Sequence, residues 1–298
     1  MKNEIWLAEK TMSLIDEVIC IDQGAKWRNF LKRILPKMED AYKSDDQHRT
    51  HLGASLIGRT CSRELWYSFR WFLKSSFNGR MLRLFNRGHL EEGRLIAAYM
   101  AAGIKVYYAD ESGTQFRIKD VNGHFGGSLD SVGVGCPDLP PKQYFLIEYK
   151  THNLKSYKKI VAEGVKIAKP EHYIQMQIYM RAYKLQYGLY TAVNKNDDAI
   201  RIEIIELQPQ YYDVYVSRAA DIISAEKPPK KISNNSAWWQ CRYCNYHAIC
   251  HFNADFEKNC RTCRYSKPVE NGKWVCALHN IYLTKEHQLS GCGDHKVR

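Results

Sequence analysis

An acidic residue and a lysine stand two positions apart in one short apolar run. The run is Phe145-Leu-Ile-Glu148-Tyr-Lys150-Thr, and its length and composition are typical of a β-strand. Side chains alternate along a strand, so Glu148 and Lys150 point to the same face. Asp130 precedes Glu148 by 18 positions and follows a glycine-rich stretch that lets another group come close. This spacing is unusual for a purely structural strand and indicates a chemical role.

Metal-dependent hydrolysis of a phosphodiester needs residues of these types. A hard divalent cation, Mg²⁺ or Mn²⁺, prefers carboxylate oxygens and water as ligands. A further candidate ligand is Glu92, in Gly88-His-Leu-Glu-Glu92 on a predicted helix, with His89 and Glu91 as alternatives to it. We therefore predict that Glu92, Asp130 and Glu148 hold one or two ions. Lys150 is predicted to orient the attacking water or to act as the base.

The order of these motifs resembles that of the PD-(D/E)XK nuclease superfamily. Asp130 followed by Glu148-x-Lys150 resembles the family signature. Gln175-Met-Gln-Ile-Tyr179 resembles the Gln-x3-Tyr motif of the RecB-like exonuclease branch, and its two polar residues share one helix face. In that branch the Gln and Tyr lie beside the active site, which implies that Gln175 and Tyr179 contact DNA.

The resemblance extends to the helix that precedes the predicted sheet. Arg87-Gly88-x3-Glu92 is similar to the family's first helix motif, where several branches, lambda exonuclease among them, have Glu and others have His. The similarity covers residues 55–250. It implies a restriction-endonuclease-like fold and a divalent-metal-dependent DNA exonuclease acting in repair, recombination or phage DNA processing.

The cysteines are distributed unevenly. Seven of the ten stand in the last 58 residues, together with five of the eleven histidines, which indicates metal binding rather than disulfide bonds. Cys61 with Cys241-x2-Cys244-x5-Cys250 resembles RecB-like nucleases that carry an iron–sulfur cluster, such as the CRISPR-adaptation nucleases and the AddB-type helicase–nucleases. The resemblance implies one [4Fe–4S] cluster on these four thiolates. Zinc accepts the same ligands, so zinc at this position stays open.

A second cysteine set follows in the tail. Four thiolates suit tetrahedral Zn²⁺, and a tail of this length has too few apolar residues to fold without a metal. The predicted ligands are Cys260, Cys263, Cys276 and Cys292, with His295 and then His279 as substitutes. An alternative zinc-ribbon partition uses Cys241, Cys244, Cys260 and Cys263 and leaves the other four cysteines without a site. Cys20 and Cys136 remain as plain thiols.

The composition favours a polyanionic partner. The formal net charge is +12, which attracts nucleic acid. Basic residues concentrate in residues 59–94 and 142–171, so we expect DNA, as single strands or duplex ends, to lie across the helices of residues 63–94 and the segment with Lys155, Lys158 and Lys159. No apolar run is long enough for a membrane span, and the N-terminus lacks a signal-peptide core. A cytoplasmic location is therefore expected.

Two readings of these features stay open. In the first, the protein is the nuclease described above and works with a protein partner in a recombination or repair complex. In the second, it is a non-catalytic nucleic-acid-binding protein with structural zinc or iron–sulfur modules and surface acids. A digestion assay with Mg²⁺ or Mn²⁺ separates the two.

Hydrophobic periodicity and turn residues predict the elements that position these residues. Helices are predicted over residues 1–50, 61–74, 81–101, 171–187 and 209–225, and strands over 105–108, 114–118, 127–134, 144–149, 190–194 and 200–207. This order predicts an α/β fold with a mixed β-sheet core flanked by helices. We expect a helical scaffold over residues 1–54, the nuclease domain over 55–252 with metal-binding cysteines at both ends, and a Cys-rich zinc module over 253–298.

Overall fold

The computed structural model describes residues 5–41 and 48–298. Parts of the predicted N-terminal scaffold, residues 1–4 and 42–47, lie outside the described residues. The helices are α1 (Glu9–Ile21), α2 (Ala25–Ala41), α3 (Ser62–Phe69), α4 (Gly79–Ala101), α5 (Leu154–Ala168), α6 (Pro170–Ala182), α7 (Gln210–Ser224), α8 (Trp239–Arg242), α9 (His247–Phe252) and α10 (Lys285–Ser290). The strands are β1 (Leu52–Gly53), β2 (Lys105–Tyr107), β3 (Arg117–Asp120), β4 (Phe125–Ser128), β5 (Ser131–Val134), β6 (Tyr144–His152), β7 (Tyr187–Asn194), β8 (Ile200–Glu206), β9 (Ser266–Pro268), β10 (Trp274–Cys276) and β11 (Ile281–Leu283).

The chain forms two compact units. Of the described residues, the first unit contains 5–41, 77–118 and 128–212, and the second contains 48–76, 119–127 and 213–298. Each unit is thus assembled from segments far apart in the sequence. The expected boundaries after residues 54 and 252 do not coincide with this division, and the three-segment description stays a prediction.

A mixed five-stranded sheet forms the centre of the first unit. Its strand order is β2-β5-β6-β7-β8, with β6 and β7 parallel and the other neighbours antiparallel. The predicted α/β class with a mixed sheet is confirmed. The apolar entry of β6 is buried because Phe145 and Ile147 belong to the core that α1, α2 and α4 share with this sheet. Glu148 and Lys150 alternate with these residues and point to the opposite face.

Helix α4 supplies a long apolar stripe to that core. Its N-terminus is capped by the Asn78 side chain, which accepts a hydrogen bond from the Met81 N–H. Leu95, Ile96 and Tyr99 in its second half are buried. Most residues in the first half of α4 are exposed. The same helix therefore contributes to the core at one end and to the surface at the other.

The second unit combines short elements. Strand β1 pairs in parallel with β4, and β9, β10 and β11 form an antiparallel sheet. The tail therefore belongs to the same compact unit as α3 and most of α7. Within residues 5–41 and 48–298, no helix is both long enough and apolar enough to cross a bilayer.

Two local differences separate the predicted elements from the observed ones. The predicted strand over residues 127–134 is broken, because Leu129 and Asp130 lie between β4 and β5. Helix α5 was not predicted; it begins at the Asn153 cap and has a non-helical Gly164 near its end. Its lysine-rich exposed face masks the apolar periodicity that marks the other helices.

Candidate active site

Strand β6 places Glu148 and Lys150 side by side, as the period of two requires. The Lys150 ammonium forms an ion pair with Glu148 Oε1 and lies 3.6 Å from Asp130 Oδ2. The Glu148 side chain is fully buried. The predicted lysine and two of the predicted acids thus meet at one point of the sheet.

Asp130 is held by main chain rather than by a strand of its own. Its Oδ2 accepts a hydrogen bond of 3.0 Å from the N–H of Tyr149 on β6. The Tyr149 hydroxyl in turn accepts a hydrogen bond of 2.8 Å from Ser131. The break between β4 and β5 therefore leaves the Asp130 side chain beside the residues that flank Tyr149.

Gln175 and Tyr179 lie one turn apart on α6. Gln175 Nε2 donates to Glu148 Oε1 over 2.8 Å, and the Tyr179 side chain is hydrogen-bonded to Gln175. Both residues are buried, at 5% and 2% exposure. In this geometry they orient the Glu148 carboxylate, a role that the sequence did not indicate. Their predicted contact with DNA is not tested by these observations.

Glu92 is the α4 residue whose pKa depends on these groups. The charges of Asp130, Lys150 and Glu148 all shift this pKa, and Glu92 lines the same cleft as Asp130. Glu91 is buried and pairs instead with Arg94 over 2.9 Å. His89 lies 3.9 Å from Glu92, and its Nε2 contacts the carbonyl of Met38.

An open cleft borders these acids. It has a volume of about 640 Å³, which lies within the range of pockets that bind small organic groups. Besides Glu92 and Asp130, polar or aromatic side chains form its walls; these are Lys37, His89, Tyr107, Tyr108, Asp110, Glu111, Thr114, Gln115 and Arg117. The segment between β2 and β3 thus contributes wall residues that the sequence patterns did not single out.

Three acids, Glu92, Asp130 and Glu148, lie near one lysine, Lys150. The pKa values of Glu92 and Glu148 are raised above their ordinary values. Burial and the Asp130 carboxylate raise the pKa of Glu148 to about 7, against the effects of Lys150 and Gln175. Burial, Asp130 and Glu148 raise the pKa of Glu92 to about 8, although Lys150 opposes the shift. Burial alone lowers the pKa of Lys150, but Asp130 and Glu148 hold it well above its ordinary value. The three carboxyl groups therefore favour a further positive charge.

The surroundings of one carboxylate oxygen indicate whether a divalent cation fits at this site. Glu148 Oε2 is buried and has no hydrogen-bond partner in the described part of the chain. A buried carboxylate oxygen without a partner costs free energy. Hard carboxylate oxygens are the ligands that Mg²⁺ and Mn²⁺ take, so Glu92, Asp130 and Glu148 are donors of the right type. Oxygens from all three do not lie within 4.8 Å of one another, so the side chains must draw closer around an ion.

A buried polar trio lies near this site and was not predicted. The Tyr190 hydroxyl contacts His152 Nε2 over 2.9 Å and His172 Nδ1 over 2.7 Å. Burial, with nearby lysines, lowers the pKa of His152 to about 4 and that of His172 to about 3. Both imidazoles are therefore neutral near pH 7. Tyr190 stands opposite Glu148 in the β6–β7 register, but no short sequence motif marks the trio.

The first predicted cysteine set is brought together in the second unit. Cys61 precedes α3, while the other three lie in or beside α8 and α9. Cys61 and Cys250 are close enough to raise the pKa of Cys241 after the larger effect of burial. Burial, Glu64, Cys61 and Cys250 raise the pKa of Cys244 to about 11. Four thiols are donors of a type that suits either an iron–sulfur cluster or zinc, but no three of these sulfurs lie within 4.8 Å of one another, so they must draw closer around a metal.

The tail cysteines form a separate group. Cys260, Cys263, Cys276 and Cys292 line one small cavity. Burial and the other three thiols raise the pKa of Cys260 to about 11. Cys260 and Cys263 therefore lie with the tail set, whereas Cys241 and Cys244 lie with Cys61, in accord with the preferred partition.

The tail ligand atoms are more widely spaced than in a metal complex. In the described residues, the three potential ligand atoms that lie within 4.8 Å of one another come from His279, Cys292 and Asp294. Tetrahedral zinc with bonds of about 2.3 Å requires sulfurs about 3.8 Å apart, so the thiols must draw closer around an ion. His279 Nε2 lies 4.0 Å from Cys292, whereas His295 Nε2 contacts the Thr262 hydroxyl. His279 is thus the better placed imidazole.

Some residues of the predicted DNA-binding surface are not exposed to solvent. Arg70 is 1% exposed, and Arg63 contacts the carbonyl of Pro229. The aromatic residues Trp66, Tyr67, Phe69, Trp71 and Phe72 are buried as well, so they are not available to stack on bases. Exposed positions remain at Arg80, Arg83 and Arg87 on α4 and at Lys155, Lys158 and Lys159 on α5.

Comparison with known proteins gives limited information. No family model and no curated protein matches the chain. The crystal structure of SSO0001 has 18% identity and a TM-score of 0.42, covering 76% of this chain and 97% of that one. An alkaline exonuclease, LHK-Exo from Laribacter hongkongensis, has 19% identity and a TM-score of 0.41, covering 58% of this chain and 86% of that one; its complex with dAMP gives 0.40. Because these values are low, function is inferred from the chain's own residues.

Proposed function

We propose that the protein is a divalent-metal-dependent nuclease that hydrolyses phosphodiester bonds in DNA. The observation that carries this proposal is the meeting of Asp130, Glu148 and Lys150, with one buried Glu148 oxygen left without a partner. A surface coincidence of charges does not bury a carboxylate completely. The alternative, a purely nucleic-acid-binding protein, offers no reason for this arrangement.

The side chains have distinct tasks in this proposal. Glu92, Asp130 and Glu148 hold Mg²⁺ or Mn²⁺, which when bound polarises the phosphodiester and makes water a better nucleophile. Lys150, charged and fixed by two carboxylates, orients the attacking water and neutralises charge on the phosphate. Gln175, supported by Tyr179, keeps Glu148 in position. The cleft beside Glu92 and Asp130 receives the scissile segment of the strand.

The charge distribution supports DNA as the substrate. Arg80, Arg83 and Arg87 are exposed and spaced three and four positions apart, so they share one side of α4. Glu92 stands on the same helix. Glu92 points to a different side of α4 from these arginines, so they are proposed to hold DNA that flanks the cleft, and the net charge of +12 strengthens the attraction. Exonuclease action, restriction-endonuclease-like topology and the RecB-like branch are finer proposals, which rest on the order of the sequence motifs.

The thiol groups are proposed to hold structural metals. Cys61, Cys241, Cys244 and Cys250 are assigned to a [4Fe–4S] cluster, with zinc as the alternative, and the tail cysteines to Zn²⁺. The support is their grouping into two separate sets of four. Iron and zinc analysis of protein purified without oxygen distinguishes the assignments; two zinc ions and no iron would transfer the first set to zinc.

The activity test uses three variants that conserve size. Asp130→Asn, Glu148→Gln and Lys150→Met should each lower cleavage of labelled DNA by about a hundredfold or more with Mg²⁺ or Mn²⁺ present. DNA affinity should change far less, because phosphate contacts lie elsewhere. Glu163→Gln is the matched control, since Glu163 is an exposed acid that pairs with Lys159 on α5.

Substrate form tests the finer proposal. An exonuclease should degrade linear single-stranded or duplex DNA and leave covalently closed circles intact. Cleavage of circles would replace exonuclease by endonuclease action. Cleavage by Glu148→Gln at the unmodified rate would rule out the proposed site altogether.

A further inference from the structure

Two arginines of the second unit are buried without a carboxylate partner. Arg70 and Arg261 are each 1% exposed, and no acidic group of the described residues lies within ion-pair distance of either. Arg261 donates to the carbonyls of Phe69 and Thr50 and stacks on Trp71 at 3.8 Å from the ring centre. Arg70 makes only long contacts of 3.3–3.5 Å to carbonyls. A buried charge without a counter-charge is costly.

Unsatisfied polar atoms gather around Arg70. Four of the seven buried side-chain atoms without a partner, among the residues described, belong to Arg70 (Nε), His124 (Nδ1), Ser266 (Oγ) and Trp274 (Nε1). These residues are neighbours. The Arg70 guanidinium lies 5.1 Å from the Trp274 ring centre, the His124 and Trp274 rings are 5.6 Å apart, and Arg70 Nη1 lies 3.3 Å from the Ser266 carbonyl.

The unsatisfied atoms are mostly donors. Arg70 Nε and Trp274 Nε1 can only donate, and the Ser266 hydroxyl can donate or accept. His124 Nε2 lies 2.7 Å from the Val269 carbonyl and so carries a proton. Its Nδ1 accepts in the neutral ring and donates in the protonated ring. A cluster with surplus donors and an unpaired guanidinium suits a ligand rich in acceptors, that is, an oxyanion.

An open cavity of about 360 Å³ is lined by two members of this cluster, Arg70 and His124. Lys267 and Arg298 add positive charge at its wall, against Asp221 and Glu226. Glu226 is 73% exposed and pairs with Lys267 over 3.9 Å, so it screens Arg70 weakly. The space exceeds that needed by an oxyanion alone and admits a small group attached to it.

Two glycines shape the wall that contains His124. Gly123 and Gly272 have positive φ angles of 82° and 70°. A Cβ at Gly123 would stand 2.8 Å from the Gly272 nitrogen, which is too close for any other residue. This contact joins the turn at Val121–Gly123 to the turn at Glu270–Gly272 and aligns His124 with Val269.

We propose that this cavity is a phosphate site, which binds inorganic phosphate or the terminal phosphate of a mononucleotide. Arg70 and His124 contact the phosphate, and Lys267 and Arg298 contribute from the wall. The site lies wholly in the second unit and does not depend on the proposed nuclease activity. Binding supplies the counter-charge that Arg70 lacks.

The test titrates the full chain with sodium phosphate, with sodium chloride at matched ionic strength as reference and no added divalent cation. Isothermal titration should give saturable binding, and the melting temperature should rise with phosphate beyond the chloride control. Lys267→Ala and Arg298→Ala should each weaken binding by about threefold to tenfold. Lys273→Ala changes an exposed lysine that directly precedes β10 and does not line the cavity, so it should leave binding unchanged.

Arg70 variants sharpen the test. Arg70→Gln should lose phosphate binding by about tenfold or more, and Arg70→Lys should retain part of it. If Arg70→Gln does not fold, the two wall variants decide. Phosphate binding that equals chloride, or that is insensitive to Lys267→Ala and Arg298→Ala, overturns the proposal.

A second arm identifies the source of the phosphate. A deoxynucleoside 5′-monophosphate that binds at least about tenfold tighter than inorganic phosphate, while the deoxynucleoside itself does not bind, assigns a mononucleotide. Equal affinities assign free phosphate. In both cases binding must persist in Glu148→Gln, because a phosphate bound at the nuclease site would respond to that change instead.

Discussion

The two carboxylate oxygens of Glu148 have different surroundings. Its Oε1 is held by Lys150 and by Gln175, which fixes the plane of the group. Its Oε2 is buried without a partner in the part of the chain that the structure describes. Orientation by one oxygen leaves the other free to bind a cation without rearrangement, and such preorganisation lowers the cost of binding.

The neighbouring acids Glu91 and Glu92 are expected to differ sharply in their roles. Glu92→Gln should lower nuclease activity by about a hundredfold or more with an unchanged melting temperature. Glu91→Gln should keep most of the activity but lower the melting temperature, since Glu91 is buried and pairs with Arg94. Activity assays and thermal melts of both variants check this. Loss of activity in Glu91→Gln alone would assign the metal ligand to Glu91 instead of Glu92.

The histidines around Tyr190 predict a pH effect on stability. In the unfolded chain both histidines titrate near 6.5, whereas the folded pKa values are about 4 for His152 and about 3 for His172. As the pH falls below about 6.5, the unfolded state binds protons that the folded state does not, so the free energy of unfolding decreases. Each histidine contributes at most about 1.4 kcal/mol per pH unit there, less where solvent screens it. Above pH 7 the effect vanishes.

Urea unfolding at pH 7.5 and pH 5.5 measures this effect. The double variant His152→Asn/His172→Gln should be less stable at pH 7.5 but lose less stability between the two pH values than the parent protein. Acid lability of bound metals affects both proteins alike, so the difference isolates the histidines. Equal losses would show that folding does not lower the pKa values of the two rings.

At the scale of elements, α3 connects the two cysteine groups. Cys61 is its N-cap residue, and Arg63 on its first turn lies 4.0 Å from Cys250. At the other end, Asn259 donates to the Trp71 carbonyl, and Arg261 to that of Phe69. The tail therefore supports the far end of the helix whose N-cap residue is Cys61, a proposed ligand of the first cysteine set.

This arrangement predicts coupling between the two proposed metal sites. Cys292→Ser should weaken zinc binding in the tail, loosen the contacts of Asn259 and Arg261, and speed loss of metal from the first set by at least about threefold. Release into a chromogenic chelator, followed by absorbance, measures the rate. Cys20→Ser is the control, since Cys20 is exposed on α1. Identical release rates in both variants would show that the sites are independent.

At the scale of the whole molecule, the proposed encounter with DNA depends on charge. The net charge of +12 gives a long-range attraction that salt screens. The exposed arginines of α4 are proposed to contact DNA phosphates. Affinity should therefore depend strongly on salt, whereas the rate of cleavage at saturating DNA should not.

Two paired variants test the role of α4. Arg80→Ala/Arg83→Ala should weaken DNA binding and reduce the slope of log K against log salt by about 1.8, that is, about 0.9 per lost phosphate contact. Lys26→Ala/Lys32→Ala removes the same charge from α2 and should leave the slope nearly unchanged. Fluorescence anisotropy between low and moderate salt gives both slopes. Equal changes in the two variants would assign the effect to net charge alone.

Local sequence determined much of the proposed active site. The period of two along β6 sets Glu148 and Lys150 on one face whatever surrounds the strand, and the helical spacing sets Gln175 and Tyr179 one turn apart. The α/β class followed from the order of apolar runs. These features depend on neighbours in the chain, which a sequence shows directly.

Tertiary structure decided what depends on distant residues. Only packing shows that Gln175 binds Glu148 rather than solvent, that Glu92 and not Glu91 lines the cleft with Asp130, and that Arg70 is buried. It also placed the tail in one unit with α3, because Arg261 and Trp274 fill space between segments about 190 to 200 positions apart. Burial and long-range contacts have no local periodicity, so no pattern of neighbouring residues reveals them.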